Sequence, residues 1–322
     1  MKTQECAARL KKEIAKIFIG KDEQVSLIIM SAFVGGHVLL DDLPGSGKTT
    51  LIKTMSLALG CQFRRVQFTP DLLPSDIIGM TVYDQDSGSF RHIKGPVFTN
   101  ILLADEINRA IPRTQSALLE AMEERQVTID NDSFPLPEPF FVMATQNPVE
   151  RESTFLLPAA QMDRFFVRLT LGFPDREEER RMLETLGDEI DFSVVDVVSG
   201  PEELMELRRE IQGVHVSPYI ERYIVDLVHR TREDQALLSG GSPRASRCLY
   251  QGGKAWAAMQ GRDYVTPEDI QTIFLPVLGH RVQLTSQSRY TKKSEAEILG
   301  AILSDTPVPP EGEEIFDAAA GK

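Results

Sequence analysis

The chain has 322 residues, 42% of them hydrophobic, and is therefore long and apolar enough to bury the cores of two domains. Its net charge of −13 argues against a protein that binds nucleic acid through a broad basic surface. The three cysteines are widely spaced and fit a reducing compartment better than a disulfide framework or a zinc site. We expect a cytoplasmic protein with no membrane span, because no apolar stretch is long enough to cross a bilayer.

The first 60 residues are predicted to form two helices, a strand, a phosphate-binding loop and a third helix. Residues 3–17 and 23–34 place apolar side chains at helical spacing, with a turn at Ile19-Gly20 between the two helices. Residues 37–40 are an apolar run of strand length, and residues 41–47 then favour a turn. Lys48 and Thr49 follow at once, and a helix is predicted over residues 51–59.

The sequence around Lys48 predicts a nucleotide site. In such a loop, backbone N–H groups surround the phosphates, the Lys reaches the β- and γ-phosphates, and the Thr hydroxyl binds Mg²⁺. Asp42 stands where the strict pattern of this loop has Gly. The residues expected to bind the nucleotide are Pro44, Gly45, Ser46, Gly47, Lys48, Thr49 and Thr50, and Thr49 is also expected to bind the metal.

Strands and helices then alternate up to residue 173. Residues 63–68 are a predicted second strand, apolar runs at residues 101–104, 140–145 and 165–171 predict three more, and residues 114–125 predict a helix. Runs that are buried on both faces and separated by helices indicate a parallel sheet between two helical layers. We therefore expect an α/β fold with a five-stranded parallel sheet in residues 1–173.

Two segments are longer than the crossovers between strands require. Residues 68–98 contain the turn Asp86-Ser87-Gly88 and predict an inserted, exposed element. Residues 127–136 predict a hairpin just before the fourth strand. Both inserts belong to the first predicted domain.

The composition changes after residue 173. Residues 174–304 show helical spacing and no convincing buried strand, which predicts a small all-α domain. Helices are predicted at residues 175–186 and after Ser217, Ser242 and Thr266, and Pro276 is expected to kink or end the last of these. Residues 305–322 are rich in proline and acidic residues, so we expect disorder there.

Acidic and amide side chains follow two of the predicted strands. Asp105 and Glu106 end the run 101–104, where Asp105 would hold magnesium and Glu106 would polarise the attacking water. Asn147 follows the next strand and could orient that water or contact the γ-phosphate. Alone, each of these patterns also fits a strand that runs into a solvated loop, but the upstream phosphate loop favours the catalytic interpretation.

Three arginines are candidates for stabilising phosphate charge. Arg164 precedes the last strand, at the sheet edge opposite the phosphates, so we expect it to serve the site of a neighbouring subunit. Arg244 lies in the first turn of a predicted helix, where a cation costs about 0.3–1 kcal/mol and a nearby phosphate would offset that cost. Arg247 is the alternative for the role of Arg244, and a surface salt bridge is the alternative role for Arg164.

Taken together, these motifs resemble the MoxR family of AAA+ ATPases over about residues 18–290. In chain order, the resemblance rests on HVLLDDLPGSGKT, RRVQFTPDLLPSDIIG, ILLADEINRA, TQSALLEAMEERQVTID, FPLPEPFFVMATQNP, LPAAQMDRFF, GSPRAS and GRDYVTPEDI. It implies an AAA+ αβα core followed by a helical lid, and a ring, expected to be hexameric, with ATP and Mg²⁺ bound between subunits. It also identifies residues 68–98 as the helix-2 insert and residues 127–136 as the pre-sensor-1 hairpin.

The resemblance also assigns roles to single residues. Adenine contacts are expected around Ile19 and Gly20. The other assignments are Lys48 and Thr49 to Walker A, Asp105 and Glu106 to Walker B, Asn147 to sensor 1, Arg164 to the arginine finger and Arg244 to sensor 2.

The implied function is a Mg²⁺-dependent ATPase motor of the chaperone kind. It would remodel or activate protein or metalloprotein clients together with a von Willebrand factor A-domain partner. An ATP-dependent assembly switch with little turnover is the alternative, although an intact Glu106 and Asn147 favour hydrolysis. A GTPase is disfavoured because the sequence has no N-K-x-D motif, and a DNA motor because the chain is acidic.

Overall fold

The computed structural model describes residues 1–86, 88–147, 154–187 and 189–308. The helices are α1 (Lys2–Ala15), α2 (Asp22–Val34), α3 (Lys48–Ala58), α4 (Pro74–Ile78), α5 (Pro112–Glu124), α6 (Ala159–Met162), α7 (Arg176–Leu186), α8 (Pro201–Gln212), α9 (Pro218–Glu233), α10 (Pro243–Met259), α11 (Pro267–Leu278), α12 (Ser286–Tyr290) and α13 (Glu295–Asp305). The strands are β1 (Val38–Asp41), β2 (Phe63–Gln67), β3 (Gly79–Asp84), β4 (Ser89–Lys94), β5 (Ile101–Asp105), β6 (Gln126–Ile129), β7 (Asp132–Pro135), β8 (Phe141–Gln146), β9 (Val167–Leu169), β10 (Leu237–Ser239) and β11 (Gln283–Leu284).

The predicted five-stranded parallel sheet is confirmed. Its strand order is β2-β5-β8-β1-β9, and every neighbouring pair is parallel. Parallel strands all end at the same edge of the sheet, so the loops after β1, β2, β5 and β8 lie close together. This edge holds most of the residues that the sequence analysis selected.

Side chains on the two faces of the sheet pack into two separate cores, as the αβα prediction requires. Along β1, Val38 and Leu40 join one core with α2, α3 and α10, while Leu39 joins the other core with α5. Successive side chains of a strand point to opposite faces, so a strand buried on both faces is apolar at every position. This explains why β1, β5 and β8 appear in the sequence as nearly continuous apolar runs.

Both predicted inserts are hairpins. Strands β3 and β4 pair antiparallel after the short helix α4, and β6 pairs antiparallel with β7. Of the predicted turn Asp86-Ser87-Gly88, Ser87 lies outside the described residues. Tyr83 and Phe90 of the first hairpin are exposed and contact each other edge to face, with ring centroids 5.2 Å apart.

The region after residue 173 is mainly helical, with α10 packed against α2, α9 and α11. Two details differ from the sequence prediction. The short strands β10 and β11 form an antiparallel pair that two or three residues per strand cannot reveal by periodicity. Helix α11 continues two residues beyond Pro276, because a proline so close to the helix end disturbs only the last turn.

Helix α13 ends at Asp305, and the side chain of Thr306 is buried. Residues 309–322 lie outside the described residues, so the disorder expected for residues 305–322 stays a prediction there. Among the described helices, of which α10 with 17 residues is the longest, none has the length and apolar character needed to span a bilayer.

Candidate functional site

A polar cleft of about 400 Å³ lies at the carboxyl edge of the sheet. It is bordered by the loop between β1 and α3 and by the ends of β2, β5 and β8. The residues that line it are Asp42, Pro44, Gly45, Ser46, Gly47, Lys48, Thr49, Thr50, Arg65, Gln67, Asp105, Glu106, Thr145, Gln146 and Asn147. All predicted phosphate-loop residues, both acids and Asn147 are therefore brought together in one cleft.

The loop before α3 presents the start of a helix to this cleft. Gly47 has a φ of 80°, a left-handed conformation that favours glycine, and it forms the N-cap of α3. The helix therefore begins at Lys48, three residues earlier than predicted. The N–H groups in the first turn of a helix have no acceptor within the helix, so Lys48, Thr49 and Thr50 border the cleft with a positive helix end.

Lys48 is held inside the loop. Its Nζ atom donates to Leu43 O at 2.7 Å and lies 3.3 Å from both Asp42 O and Ser46 Oγ. Burial lowers the pKa of Lys48, and the carboxylates of Asp42, Asp105 and Glu106 act in the opposite direction. The amine is therefore presented among acceptors that a phosphate group could replace.

Asp42, the departure from the strict loop pattern, has a structural explanation. Its carboxylate accepts hydrogen bonds from Leu171 N at 2.7 Å and from Gly172 N at 2.8 Å. Both donors follow β9, so the buried Asp42 side chain ties the entry of the phosphate loop to the neighbouring strand. A glycine could not make this connection.

The two acids are joined through Thr145. The Thr145 hydroxyl donates to Asp105 Oδ1 at 2.7 Å and accepts from Glu106 N at 2.8 Å. Glu106 has a φ of 56°, which is uncommon outside glycine and turns the chain sharply after β5. The two adjacent carboxylates therefore both border the cleft, although side chains of successive strand residues normally point to opposite faces.

Strand β2 supplies two residues that the sequence analysis missed. Arg65 Nη2 lies 2.6 Å from Asp105 Oδ2, and Gln67 Nε2 donates to Glu106 Oε2 at 2.7 Å. Arg109 also contacts Glu106 Oε2, at 3.0 Å. Sequence alone shows only that polar residues two apart in a predicted strand lie on one face. Their position beside the two acids follows from the pairing of β2 with β5.

Asn147 is buried at the end of β8. Its backbone N and O pair with the side-chain amide of Asn108, at 3.5 and 3.4 Å. Asn108 belongs to the 3₁₀ turn 107–109 that follows the two acids. The position of Asn147 is thus fixed relative to Asp105 and Glu106 by a second connection between β5 and β8.

Arg164 and Arg244 lie away from the cleft and next to each other. Arg164 Nε is 2.8 Å from Glu123 Oε2, and Arg244 Nη2 is 2.5 Å from Glu123 Oε1. The acid offsets the cost of a cation in the first turn of α10, so a carboxylate takes the place that the sequence analysis gave to a phosphate. Arg247 borders a different cavity and belongs neither to the lining of the polar cleft nor to the arginine pair at Glu123.

Ile19 and Gly20 border a second cleft, of about 500 Å³, together with Glu178 and Arg181 of α7. This cleft adjoins the phosphate loop, because the ring of Phe18 lies 3.0 Å from the position that a Cβ atom on Gly47 would occupy. The predicted adenine residues are therefore close to the phosphate loop but do not line the polar cleft.

The oxygen donors of the cleft suit a hydrated Mg²⁺ ion. The Thr49 hydroxyl and the Asp105 carboxylate are hard oxygen ligands, and both line the cleft beside the start of α3. A triphosphate would complete such a site, because Mg²⁺ is usually held by one or two protein ligands together with substrate phosphates.

Comparison with known proteins agrees with this geometry. The sequence model of the "ATPase family associated with various cellular activities (AAA)" matches residues 37–167, and that of the "AAA lid domain" matches residues 229–302. The chain is 42% identical to the protein YeaC of Bacillus subtilis, with 92% of this chain and 93% of YeaC covered. It is 38% identical to the chaperone MoxR1 of Mycobacterium tuberculosis, with 92% and 81% covered. A crystal structure of a candidate ATPase from Cytophaga hutchinsonii superposes with a TM-score of 0.89 at 37% identity and covers 96% of each chain.

Proposed function

The chain belongs to the MoxR family of AAA+ ATPases, and from this premise we propose that it hydrolyses ATP to ADP and phosphate in the cleft beside Lys48. One observation carries the proposal: the start of α3, the amine of Lys48, the two acids and Asn147 all border the same polar cleft. ATP would place its phosphates at the start of α3 and its adenine near Ile19 and Gly20.

Each residue of the cleft then has a definite task. Lys48 Nζ gives up its hydrogen bonds to acceptors of the loop and binds the β- and γ-phosphates instead. Glu106 takes a proton from the attacking water, and Asn147 orients that water or the γ-phosphate. Thr49 and Asp105 would hold Mg²⁺, which neutralises charge on the phosphates when it is bound.

We infer that Arg164 and Arg244 serve the cleft of a neighbouring subunit in a hexameric ring. Neither borders the cleft of its own chain, and both lie on the surface with side chains that are 31% and 39% exposed. The single carboxylate of Glu123 contacts both guanidinium groups, so the two cations lie close together. An arginine inserted from a neighbour would stabilise the charge that develops during phosphoryl transfer.

The energy of hydrolysis is proposed to remodel or activate protein clients in the cytoplasm, together with a von Willebrand factor A-domain partner. The printed name of the M. tuberculosis relative, a chaperone, supports this class of function. The exposed pair Tyr83 and Phe90 offers an apolar contact for a client on the β3–β4 hairpin. We propose the domain division 1–173, 174–304 and 305–322 for core, lid and tail.

The proposal is tested by the variant Glu106→Gln. We expect it to bind ATP normally and to lose roughly 10²–10⁴ of the turnover, the usual contribution of a general base. Glu124→Gln, at the exposed end of α5, is the matched control and should keep its turnover. Calorimetric ATP binding and steady-state phosphate release are the measurements. Equal turnover in wild type and Glu106→Gln would show that Glu106 is not the base, and negligible turnover in the wild type itself would favour the assembly switch.

A further inference from the structure

A groove of about 540 Å³, distinct from both clefts described above, lies among α2, α8, α9 and α10 and shares no lining residue with the polar cleft. We call it the lid groove. Apolar side chains form part of its wall, among them Ile211, Ile224, Val225 and Tyr250. Val225 is 45% exposed, which is high for a valine that borders a concave surface. The lid groove is thus large enough and apolar enough to accept a peptide segment.

The lid groove is also positively charged. Arg208, Arg247 and Lys254 line it, against the single carboxylate of Glu221. Of the ion pairs formed among the described residues, none involves any of these three cations. This is unusual in a chain of net charge −13, where acidic residues are plentiful.

Lys254 Nζ donates to Gln212 O at 2.8 Å, and Arg208 is held by a backbone carbonyl in a similar way. Its Nε atom donates to Phe33 O at 3.2 Å, near the end of α2, which explains part of its position. Burial lowers the pKa of Arg208, and the neighbouring Arg125 is also desolvated, with its pKa lowered to about 10. The carboxylate of Glu138 acts on both guanidinium groups, and an anion in the lid groove would add a second negative charge beside Arg208.

We propose that the lid groove binds the acidic segment 311–317 of this same polypeptide, Glu-Gly-Glu-Glu-Ile-Phe-Asp. The segment offers four carboxylates to the three cations and two large apolar side chains, Ile315 and Phe316, to the apolar wall. A segment of this composition gains order when a partner surface supplies the apolar contacts that it lacks alone.

The position where the described chain ends supports this occupant. Asp305 O accepts from Arg230 Nη1 at 2.9 Å, so the chain leaves α13 beside α9, the helix that carries Ile224 and Val225. The seven residues from 309 to 315 can extend over about 24 Å. Helix α9 has 16 residues and is therefore also about 24 Å long. Ile224 and Val225 lie only five or six residues before Arg230, about 8–9 Å along the helix axis, so the tail is long enough to reach this part of the wall.

Photo-cross-linking in the full-length protein tests the proposal without requiring ATP turnover. With benzoylphenylalanine in place of Phe316, we expect cross-links to α8, α9 and α10 around the lid groove, located by mass spectrometry. With the same reagent in place of Val225, the captured peptides should come from residues 309–322. Captured peptides from any other segment, or Phe316 cross-links that lie elsewhere, would overturn the proposal.

Charge reversals provide the controls. Glu313→Lys and Glu314→Lys alter only the tail, so they leave the lid groove intact, and each should lower the cross-link yield about two- to fivefold at low salt. Lys254→Glu should do the same from the side of the groove. Arg222→Glu, an exposed arginine of α9 that does not line the lid groove, is the matched control and should leave the yield unchanged. Equal yields in all four variants would contradict the proposed charge recognition.

Discussion

The polar cleft and the arginine pair at Glu123 lie at different places on the same core and differ in charge balance. In the cleft, Arg65 pairs with Asp105, and Gln67 and Arg109 bind Glu106, so the acids are compensated within one chain. At the other site three guanidinium groups, those of Arg164, Arg244 and the buried Arg281, pair with two carboxylates, Glu123 and Asp163. One chain thus carries the phosphate loop and the proposed general base, Glu106, at one site, and more cations than carboxylates at the other. This difference is what we expect if, as proposed above, the two sites of neighbouring subunits form one reaction centre.

The largest expected effect comes from removing an arginine of the second site. Arg164→Ala should bind ATP about normally and hydrolyse it roughly 10³–10⁵ times more slowly, since an arginine supplied across an interface contributes that much to phosphoryl transfer. ATP binding by calorimetry and phosphate release at saturating ATP separate the two effects.

Arg113→Ala is the matched control for this variant. Arg113 is an exposed residue of α5, the helix that also carries Glu123, and it forms none of the ion pairs seen among the described residues. Its removal should leave turnover unchanged. A comparable loss in both variants would mean that Arg164 acts through general surface charge.

A smaller effect is expected inside the cleft. Arg65 contacts a carboxylate oxygen of Asp105, the residue that we propose to hold Mg²⁺, so Arg65 and Mg²⁺ would compete for this carboxylate. In Arg65→Gln the Mg²⁺ concentration needed for half-maximal binding of a non-hydrolysable ATP analogue should fall about two- to fivefold, the usual range for a partly exposed ion pair. A raised Mg²⁺ requirement would show that Arg65 helps to build the metal site.

A separate prediction concerns the pH dependence of stability. His37 and His280 are buried near the edge of the sheet opposite the cleft, and burial holds the pKa of each well below its usual value. Both histidines stay neutral in the folded state, whereas in the unfolded chain they take up protons below about pH 6.5. The free energy of unfolding therefore keeps its full value above that pH and decreases as the pH is lowered below it. The loss approaches about 1.4 kcal/mol per pH unit for each histidine.

Urea unfolding at pH 7.5, 6.5 and 5.5 measures this effect. His37→Gln should remove part of the slope below pH 6.5, whatever its effect on stability at pH 7.5. An unfolding free energy that does not change between pH 7.5 and pH 5.5 would contradict the assignment of two neutral buried histidines.

Much of the fold could be predicted because strands buried on both faces leave continuous apolar runs. The run 101–104 and the loop before Lys48 each depend on local chemistry, and both were located from sequence. The contacts of Arg65 and Gln67 were missed because they depend on β2 lying beside β5, and strand order is not encoded in either strand alone. For the same reason, the sequence could not show that Arg244 and Arg164 share Glu123, since α10, α5 and the segment before β9 are distant along the chain.

The most direct test of complementary sites is to mix two inactive variants. Arg164→Ala subunits keep an intact Glu106, and Glu106→Gln subunits keep an intact Arg164, so mixed assemblies contain some interfaces where both residues are present. ATP hydrolysis should therefore reappear on mixing, with a maximum near equal proportions, although neither variant is active alone. Fluorescently labelled subunits establish that exchange occurs. If exchange is complete and hydrolysis stays at the level of the parents, Arg164 acts within its own chain, and the proposal that two subunits share one reaction centre is wrong.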